Sequence, residues 1–358
     1  LQVIKIHEVS IAVNSAAIKC IIRDYRLAID LPILGATETI QETDLADKSP
    51  FDPRGVIPAC LLPFRDDHTI DGPAFQAHLR DVASTRGIAA LTVNAHSTEI
   101  GCCSFDEQQQ VLALSAAAVG DQLPIVAGVF TESSLEAARI ARMAEAEGAS
   151  CLLVFPPANF NIGSQSRPQV VIEHHKRIAD ATSLPLIYFQ FPRQSGFGME
   201  LDLLHRLFDE VPSIRAIKDY CNDPFFFEKT VRSLQARARP VHVLTTHTAW
   251  LYASLVTGCH GILSGSGSTV AALQVELFEA VQAQDMARAR QVADRLFPIH
   301  EVFYDEPFLD MHNRMKQAQV MMGRMKSAVV RPPLLEPDAA EKARIRRALE
   351  QAGLLTPA

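Results

Sequence analysis

From residue 56 onward, short runs of apolar and β-branched residues alternate with longer segments whose apolar positions recur at i, i+3, i+4 and i+7. The short runs lie at 56–62 (VIPACLL), 90–94 (ALTVN), 124–129 (PIVAGV), 151–155 (CLLVF), 185–189 (PLIYF), 214–218 (IRAIK), 241–244 (VHVL) and 261–264 (GILS), and they predict eight strands. The segments between them predict helices; SSLEAARIARMAEAEGA, at 133–149, has a serine start and a glycine stop. Strands buried on both faces read as continuous apolar runs, and a helix between each pair forces parallel pairing with right-handed crossovers. Eight such units close into a (β/α)8 TIM barrel, an α/β fold. An open doubly wound sheet is the competing arrangement. It would carry a glycine-rich turn after the first strand, and the turn here, PFRDDHTIDG, has none.

The pattern changes at both ends. After residue 284 no strand signal remains, and three further helices are expected in DMARARQVADRLFPIHEVF, FLDMHNRMKQAQVMMGRMK and PDAAEKARIRRALEQAGLL. The first 54 residues do not fit the repeat; VIKIHEVSIAV and AAIKCIIRDYRLAIDL suit the strands of a small hairpin appendage. The expected organisation is an N-terminal extension (1–54), a barrel (55–284) and a C-terminal helical annex packed on the barrel (285–358).

Composition narrows the class. With 48% hydrophobic and 21% charged residues, the chain of 358 residues reads as an ordinary globular protein. A net charge of -7 and the lack of basic runs argue against nucleic acid as a partner. No run of 18 apolar residues occurs, so no membrane span is expected, and the opening LQVIKIHEVSIAVNS has no secretory pattern. Seven scattered cysteines without C-x-x-C point to a reducing cytoplasm, with neither a disulfide framework nor a zinc site.

In such a barrel the reactive groups sit at the C-terminal ends of the strands. Lys218 ends the sixth strand, and period-2 alternation places it on the same face as Ile214 and Ala216. An amine turned into the barrel is poorly solvated and partly neutral, as Schiff-base chemistry with a ketone requires. The alternative is a lysine snorkelling to water from a strand end. Tyr188, near the end of the neighbouring strand, could relay protons beside that amine or simply fill a barrel layer. After the second strand, NAHSTEIGCCSFDEQ offers hydroxyls and backbone N–H groups to an anion, with Ser104 and Glu107 reading as a capping box. LSGSGST, from Leu263 to Thr269, is either an anion cradle containing Ser264 or a loop in which Ser268 or Thr269 caps a helix. His242, His247 and His260 lack a carboxylate near in sequence, EHHKR (173–177) reads as a solvated helix face, and Cys102 and Cys103 as buried thiols.

Together TVNAHSTE, PIVAGV, PLIYFQFP, IRAIKDY and the terminal VVRPPLLEP resemble, in order and spacing, the dihydrodipicolinate synthase and N-acetylneuraminate lyase family of pyruvate-type class I aldolases. The resemblance runs from about residue 55 to the C-terminus. It implies that Lys218 is the Schiff-base lysine, that Tyr188 is the proton-relay phenol, and that a 2-oxo acid binds with an aldehyde as second substrate. It implies no cofactor and no metal, and a homo-oligomer, tetramer or dimer. The family's carboxylate-binding hydroxyl positions fall on His96 and Ser97, with Thr98 and Ala95 at its loop glycines. Its Tyr-x-x-Pro-Gly-Arg-Thr-Gly segment departs here: Tyr188 is followed by FQFPRQSG, one residue longer before Pro192. The substrate-binding arginine position falls on Gln194, with Arg193 one step off, and the relay tyrosine of a partner subunit falls on Ala158. The expectation is a Schiff-base lyase or aldolase altered in its second-substrate pocket, acting by aldol cleavage, condensation or dehydration of a deoxy-2-oxo sugar acid. A non-catalytic 2-oxo-acid sensor on the same barrel is the alternative.

Overall fold

The computed structural model describes residues 2–6, 9–14, 17–22 and 51–356. The chain forms two compact units, Leu1–Ser49 and Pro50–Ala358. In the first, β1 (Gln2–Ile6), β2 (Val9–Asn14) and β3 (Ala17–Ile22) form an antiparallel sheet in the order β1-β2-β3. The rest of the expected appendage, residues 23–50, lies outside the described residues.

The second unit is a barrel of eight parallel strands. They are β4 (Gly55–Pro58), β5 (Leu91–Val93), β6 (Ile125–Val129), β7 (Cys151–Val154), β8 (Leu186–Gln190), β9 (Ile214–Asp219), β10 (His242–Thr245) and β11 (Gly261–Ser264). The ladder runs β4-β11-β10-β9-β8-β7-β6-β5. Between β4 and β5 it is closed by the Cys60 N–H donating to Thr92 O at 2.8 Å and the Ala89 N–H to Val56 O at 2.9 Å. Each strand falls within two residues of its apolar run, except β4, which ends four residues early at Pro58, as proline cannot donate to a ladder.

Apolar residues form two layers. Ile57, Val126, Leu153, Ile187, Ala216, Leu244 and Leu263 fill the barrel interior, while Leu152, Leu186, Ile217 and Val243 pack outward on the helices. The helix that begins at Ser134 (α3, Ser134–Ala146) is capped by the Ser133 hydroxyl, which accepts from the Glu136 N–H. Behind the barrel follow α9 (Met286–Phe303), α10 (Met311–Met321) and α11 (Ala339–Gln351), within the same compact unit. Two ties fix this annex to the loop after β5. Lys316 of α10 makes a buried ion pair with Glu99, and Arg331 holds Glu107 with its guanidinium while its backbone N–H donates to Glu99 Oε2 at 2.9 Å.

Candidate active site

Lys218 projects into the mouth of the barrel. A bulge between β8 and β9 pairs Leu186 with Ile214 but Ile187 with Ala216, so Ile214 turns outward while Ala216 and Lys218 face in. Lys218 is 7% exposed, and burial alone pulls its pKa down to about 7 from the usual lysine range. A lysine snorkelling to bulk water is thereby excluded.

The neighbouring strand gives a different result from the sequence expectation. In the β8–β9 register Lys218 pairs with Phe189, and Tyr188 pairs with Ile217. Successive residues on a strand point to opposite faces, so Tyr188 faces the helices. It is buried against His175 and Phe208, with ring centroids 5.3 and 6.3 Å away. Burial raises its phenol well above the usual range, chiefly by desolvation and further by the Asp219 charge. The Lys218 neighbour is instead the Phe189 ring, whose centroid is 4.1 Å from Nζ. The signal was available in the chain: three residues back from Pro192, the Tyr-x-x-Pro spacing lands on Phe189.

The loop after β5 is shaped by two residues in the left-handed region, Asn94 at φ 51° and Glu99 at φ 51°. Asparagine tolerates this conformation; Glu99 is held there by Lys316 and the Arg331 N–H. Between them the Thr98 hydroxyl accepts from the Ala95 N–H at 2.6 Å and donates to Ala95 O at 2.7 Å. The Thr98 hydroxyl is therefore spent on closing the turn, and Thr98 is not among the residues lining the cavity. Ser97 is buried, lines the cavity beside Lys218, and its Oγ has no partner. His96 is exposed, but to the cavity rather than to the outer surface, and is bordered by Phe130, Phe155 and Phe189. That enclosure, and next the Lys218 charge, lower its pKa to about 4.

Three other expected contacts are absent from the site. The Arg193 guanidinium stacks on Phe226 and pairs with Glu200 and Asp223, both at 3.0 Å, and Arg193 is not among the residues lining the cavity. Gln194 lies exposed on the turn Arg193–Ser195. Ser264 is buried beneath the site, its Oγ 3.0 Å from Ser266 Oγ.

The annex supplies residues that the sequence reading missed. Tyr304, Phe308, Met311 and His312 line one side of a cavity of about 280 Å³, facing His96, Ser97, Phe189, Phe191, Lys218 and Tyr220. His312 sits against Gly265: a Cβ there would lie 3.0 Å from its Nε2. Enclosure, and then the His96 and Lys218 charges, hold the His312 imidazole well below its usual range. The Tyr304 phenol accepts from the Ser266 N–H at 3.2 Å. Nothing in the periodicity of a helix announces that its first turn will lid a barrel; only the histidine itself, as a residue type, was a signal.

Several secondary readings also change. The sequence showed no carboxylate near the three histidines, yet His247 Nε2 lies 3.1 Å from Asp219 Oδ1 and His242 Nε2 lies 2.8 Å from Asp52 Oδ1. Asp219, Cys221 and His247 could gather around a cation, their ligand atoms lying within 4.8 Å of one another. Burial raises the Cys221 thiol far out of range, however, and Asp219 Oδ1 already accepts from the Cys221 N–H. The two histidines of EHHKR are buried rather than solvated, since α4 (Gln169–Ala179) turns them toward α3 and β8, where Ser134 and Tyr188 meet them. Cys102 and Cys103 are half-buried. Neither Ser268 nor Thr269 caps the following helix, whose N-cap is Val270. The Ser104–Glu107 capping box forms as expected, with bonds of 3.2 and 2.9 Å.

The comparisons with known proteins agree with this architecture. Residues 52–352 match the model of the dihydrodipicolinate synthetase family. A 4-hydroxy-tetrahydrodipicolinate synthase of Chelativorans sp. (strain BNC1) is 30% identical over 302 residues, 84% of this chain and 99% of the relative. The corresponding enzyme of Rhizobium meliloti (strain 1021) is 28% identical over 303 residues, again 84% of this chain and 99% of the relative. Among solved structures, YagE, a prophage protein of the dihydrodipicolinic acid synthase family from E. coli K12 in complex with pyruvate, superposes with a TM-score of 0.76 at 24% identity, covering 84% of this chain and 99% of its own. A monomeric dihydrodipicolinate synthase variant gives 0.78 at 22% identity, covering 86% and 100%.

Proposed function

This chain belongs to the dihydrodipicolinate synthetase family, and we propose that it is a class I lyase or aldolase that holds a 2-oxo acid such as pyruvate as a Schiff base on Lys218. The observation that carries the proposal is a buried lysine, 7% exposed, lining a cavity that also presents an unpartnered buried hydroxyl, Ser97 Oγ; burial lowers the amine's pKa toward the neutral form the reaction needs. The carboxylate of the acid accepts from Ser97 while the neutral amine attacks the keto carbon. Loss of water from the carbinolamine gives an iminium, which accepts the electron pair when a C–C bond is made or broken. The proton transfers cannot pass through residue 189, a phenylalanine, or through Tyr188, which faces the helices. Two imidazoles held neutral, His96 and His312, line the cavity for that task.

The same proposal places the protein in the cytoplasm as a homo-oligomer, dimer or tetramer; the described residues contain no helix long and apolar enough to cross a membrane. The missing phenol beside Lys218 favours a second reading, a sensor that binds the acid covalently without turning it over. It also supports an activity other than strict dihydrodipicolinate synthesis. Borohydride reduction with pyruvate, followed by peptide mass spectrometry, tests the covalent step. A reduced pyruvyl adduct on Lys218 is expected, and an unmodified Lys218 peptide would sink both readings.

A further inference from the structure

We propose that the second substrate of this site is an uncharged aromatic aldehyde. The inference rests on the Schiff-base reading above and adds to it the chemical class of the partner carbonyl. Five rings form one arc around the cavity. It starts against the amine at Phe189 and continues through Phe191 (centroids 4.3 Å apart), Tyr220 (6.5 Å) and Phe308 (5.9 Å) to Tyr304 (6.0 Å). Met311 adds a soft, polarisable side chain from the annex, of the kind that packs well on ring edges. Such a wall favours a flat ring through offset and edge-to-face contacts.

The charges point the same way. Lys218 is the one cationic side chain among the residues lining the cavity, and imine formation commits it to the 2-oxo acid. Arg193, one step from the family's substrate-binding arginine position, is held by Glu200 and Asp223. An anionic aldehyde would bring a second carboxylate into a cavity whose lining residues hold no further Lys or Arg to pair with it. The arc offers a polyhydroxylated aldehyde hydroxyls only at Tyr220 and Tyr304, three of its five rings being phenyl. The cavity, about 280 Å³, lies at the low end for ligand sites and suits a three-carbon acid with a single ring.

In the condensation direction, a proton leaves C3 of the pyruvyl iminium to give the enamine. The enamine C3 attacks the aldehyde carbon, forming the C–C bond, and the carbonyl electron pair moves to oxygen, which takes up a proton. Water then hydrolyses the iminium, releasing a 4-aryl-4-hydroxy-2-oxo acid and the free amine. The reverse sequence cleaves the same bond, and no oxidant or reductant enters.

The test uses the full chain with saturating pyruvate and three aldehydes: benzaldehyde, glycolaldehyde and succinic semialdehyde, with products read by liquid chromatography and mass spectrometry. Formation of 4-hydroxy-2-oxo-4-phenylbutanoate is expected, with kcat/KM at least about tenfold above either other aldehyde. Phe308→Ala is expected to lower the benzaldehyde value by about tenfold and the glycolaldehyde value by much less. Equal or faster turnover of succinic semialdehyde or glycolaldehyde overturns the inference, as does an equal loss for both aldehydes in Phe308→Ala. Borohydride trapping with pyruvate alone separates the two levels. An adduct without aromatic turnover defeats this inference and leaves the Schiff base standing; no adduct defeats both.

Discussion

Phe189 stands opposite Lys218 in the parallel β8–β9 register, its ring 4.1 Å from Nζ. An aromatic face shields the amine from water but has no proton to give. A phenol at this position would combine dryness with proton relay; here the two are separated. Phe189→Tyr is therefore expected to speed formation of the pyruvyl iminium by about 100-fold, at the low end for a positioned acid–base group. Rapid-quench borohydride trapping measures this directly. An unchanged rate would mean that the imidazoles or water already carry the proton efficiently.

Tyr188 gives the opposite expectation. Its ring belongs to the layer between strand and helix, against His175 and Phe208. Tyr188→Phe should leave kcat/KM within about twofold and shift stability by less than about 1 kcal/mol. A loss of 100-fold or more in steady-state assays would return the phenol to the reaction path.

The state of Lys218 sets a pH window. The amine must be neutral to attack, so the rate of adduct formation should rise through pH 7 and level off above it, whereas an unperturbed lysine would still be gaining near pH 10. Stability moves in the same direction. The folded pKa lies below the unfolded one, so the unfolded chain binds more protons between about pH 7 and 10.5, and stability from this group rises with pH across that window. Lys218→Met should therefore stabilise the protein more at pH 6 than at pH 9, the two gains differing by at most about 3 kcal/mol. Denaturant titrations at the two pH values compare them, and equal gains would mean the amine is not desolvated.

Ser97 Oγ is buried beside the amine without a partner. Ser97→Ala should raise KM for the 2-oxo acid about 10- to 100-fold, the equivalent of one hydrogen bond to a charged group, with a smaller effect on kcat. A KM equal to that of the parent protein would place the carboxylate elsewhere.

The buried pair Glu99–Lys316 joins the site loop to α10. Removing one partner leaves an uncompensated charge, so Lys316→Met should cost about 3–5 kcal/mol in urea unfolding. The double variant Glu99→Gln, Lys316→Met should recover part of that loss. Desolvation outweighs the pull of Glu99 on the lysine and lowers its pKa, so the pair contributes more to the placing of α10 than to net stability.

The barrel was legible because its strands are buried on both faces and read as unbroken apolar runs, each followed by an amphipathic helix. Lys218 was legible because alternation holds from Ala216 to Lys218, although a bulge against β8 turns Ile214, expected on the same face, outward. Tyr188 was misread because two strands must be set in register before side chains can be said to meet, and one added residue before Pro192 reverses the face. Thr98 failed for a local reason: its hydroxyl bonds to its own turn. His312 and Phe308 could not be placed at all, because their position depends on how a tail packs, which the ion pair to Glu99 decides across more than 200 residues of chain.

Tyr304, Phe308, Met311 and His312 all come from the segment that follows the last strand. Lys218 and the lid around it are thus encoded in separate stretches. Recombination or drift confined to residues 304–358 can change which molecules are admitted while Lys218, Ser97 and His96 are inherited intact and only His312 travels with the tail. A chimera carrying another member's tail would inherit that member's appetite and keep this one's lysine.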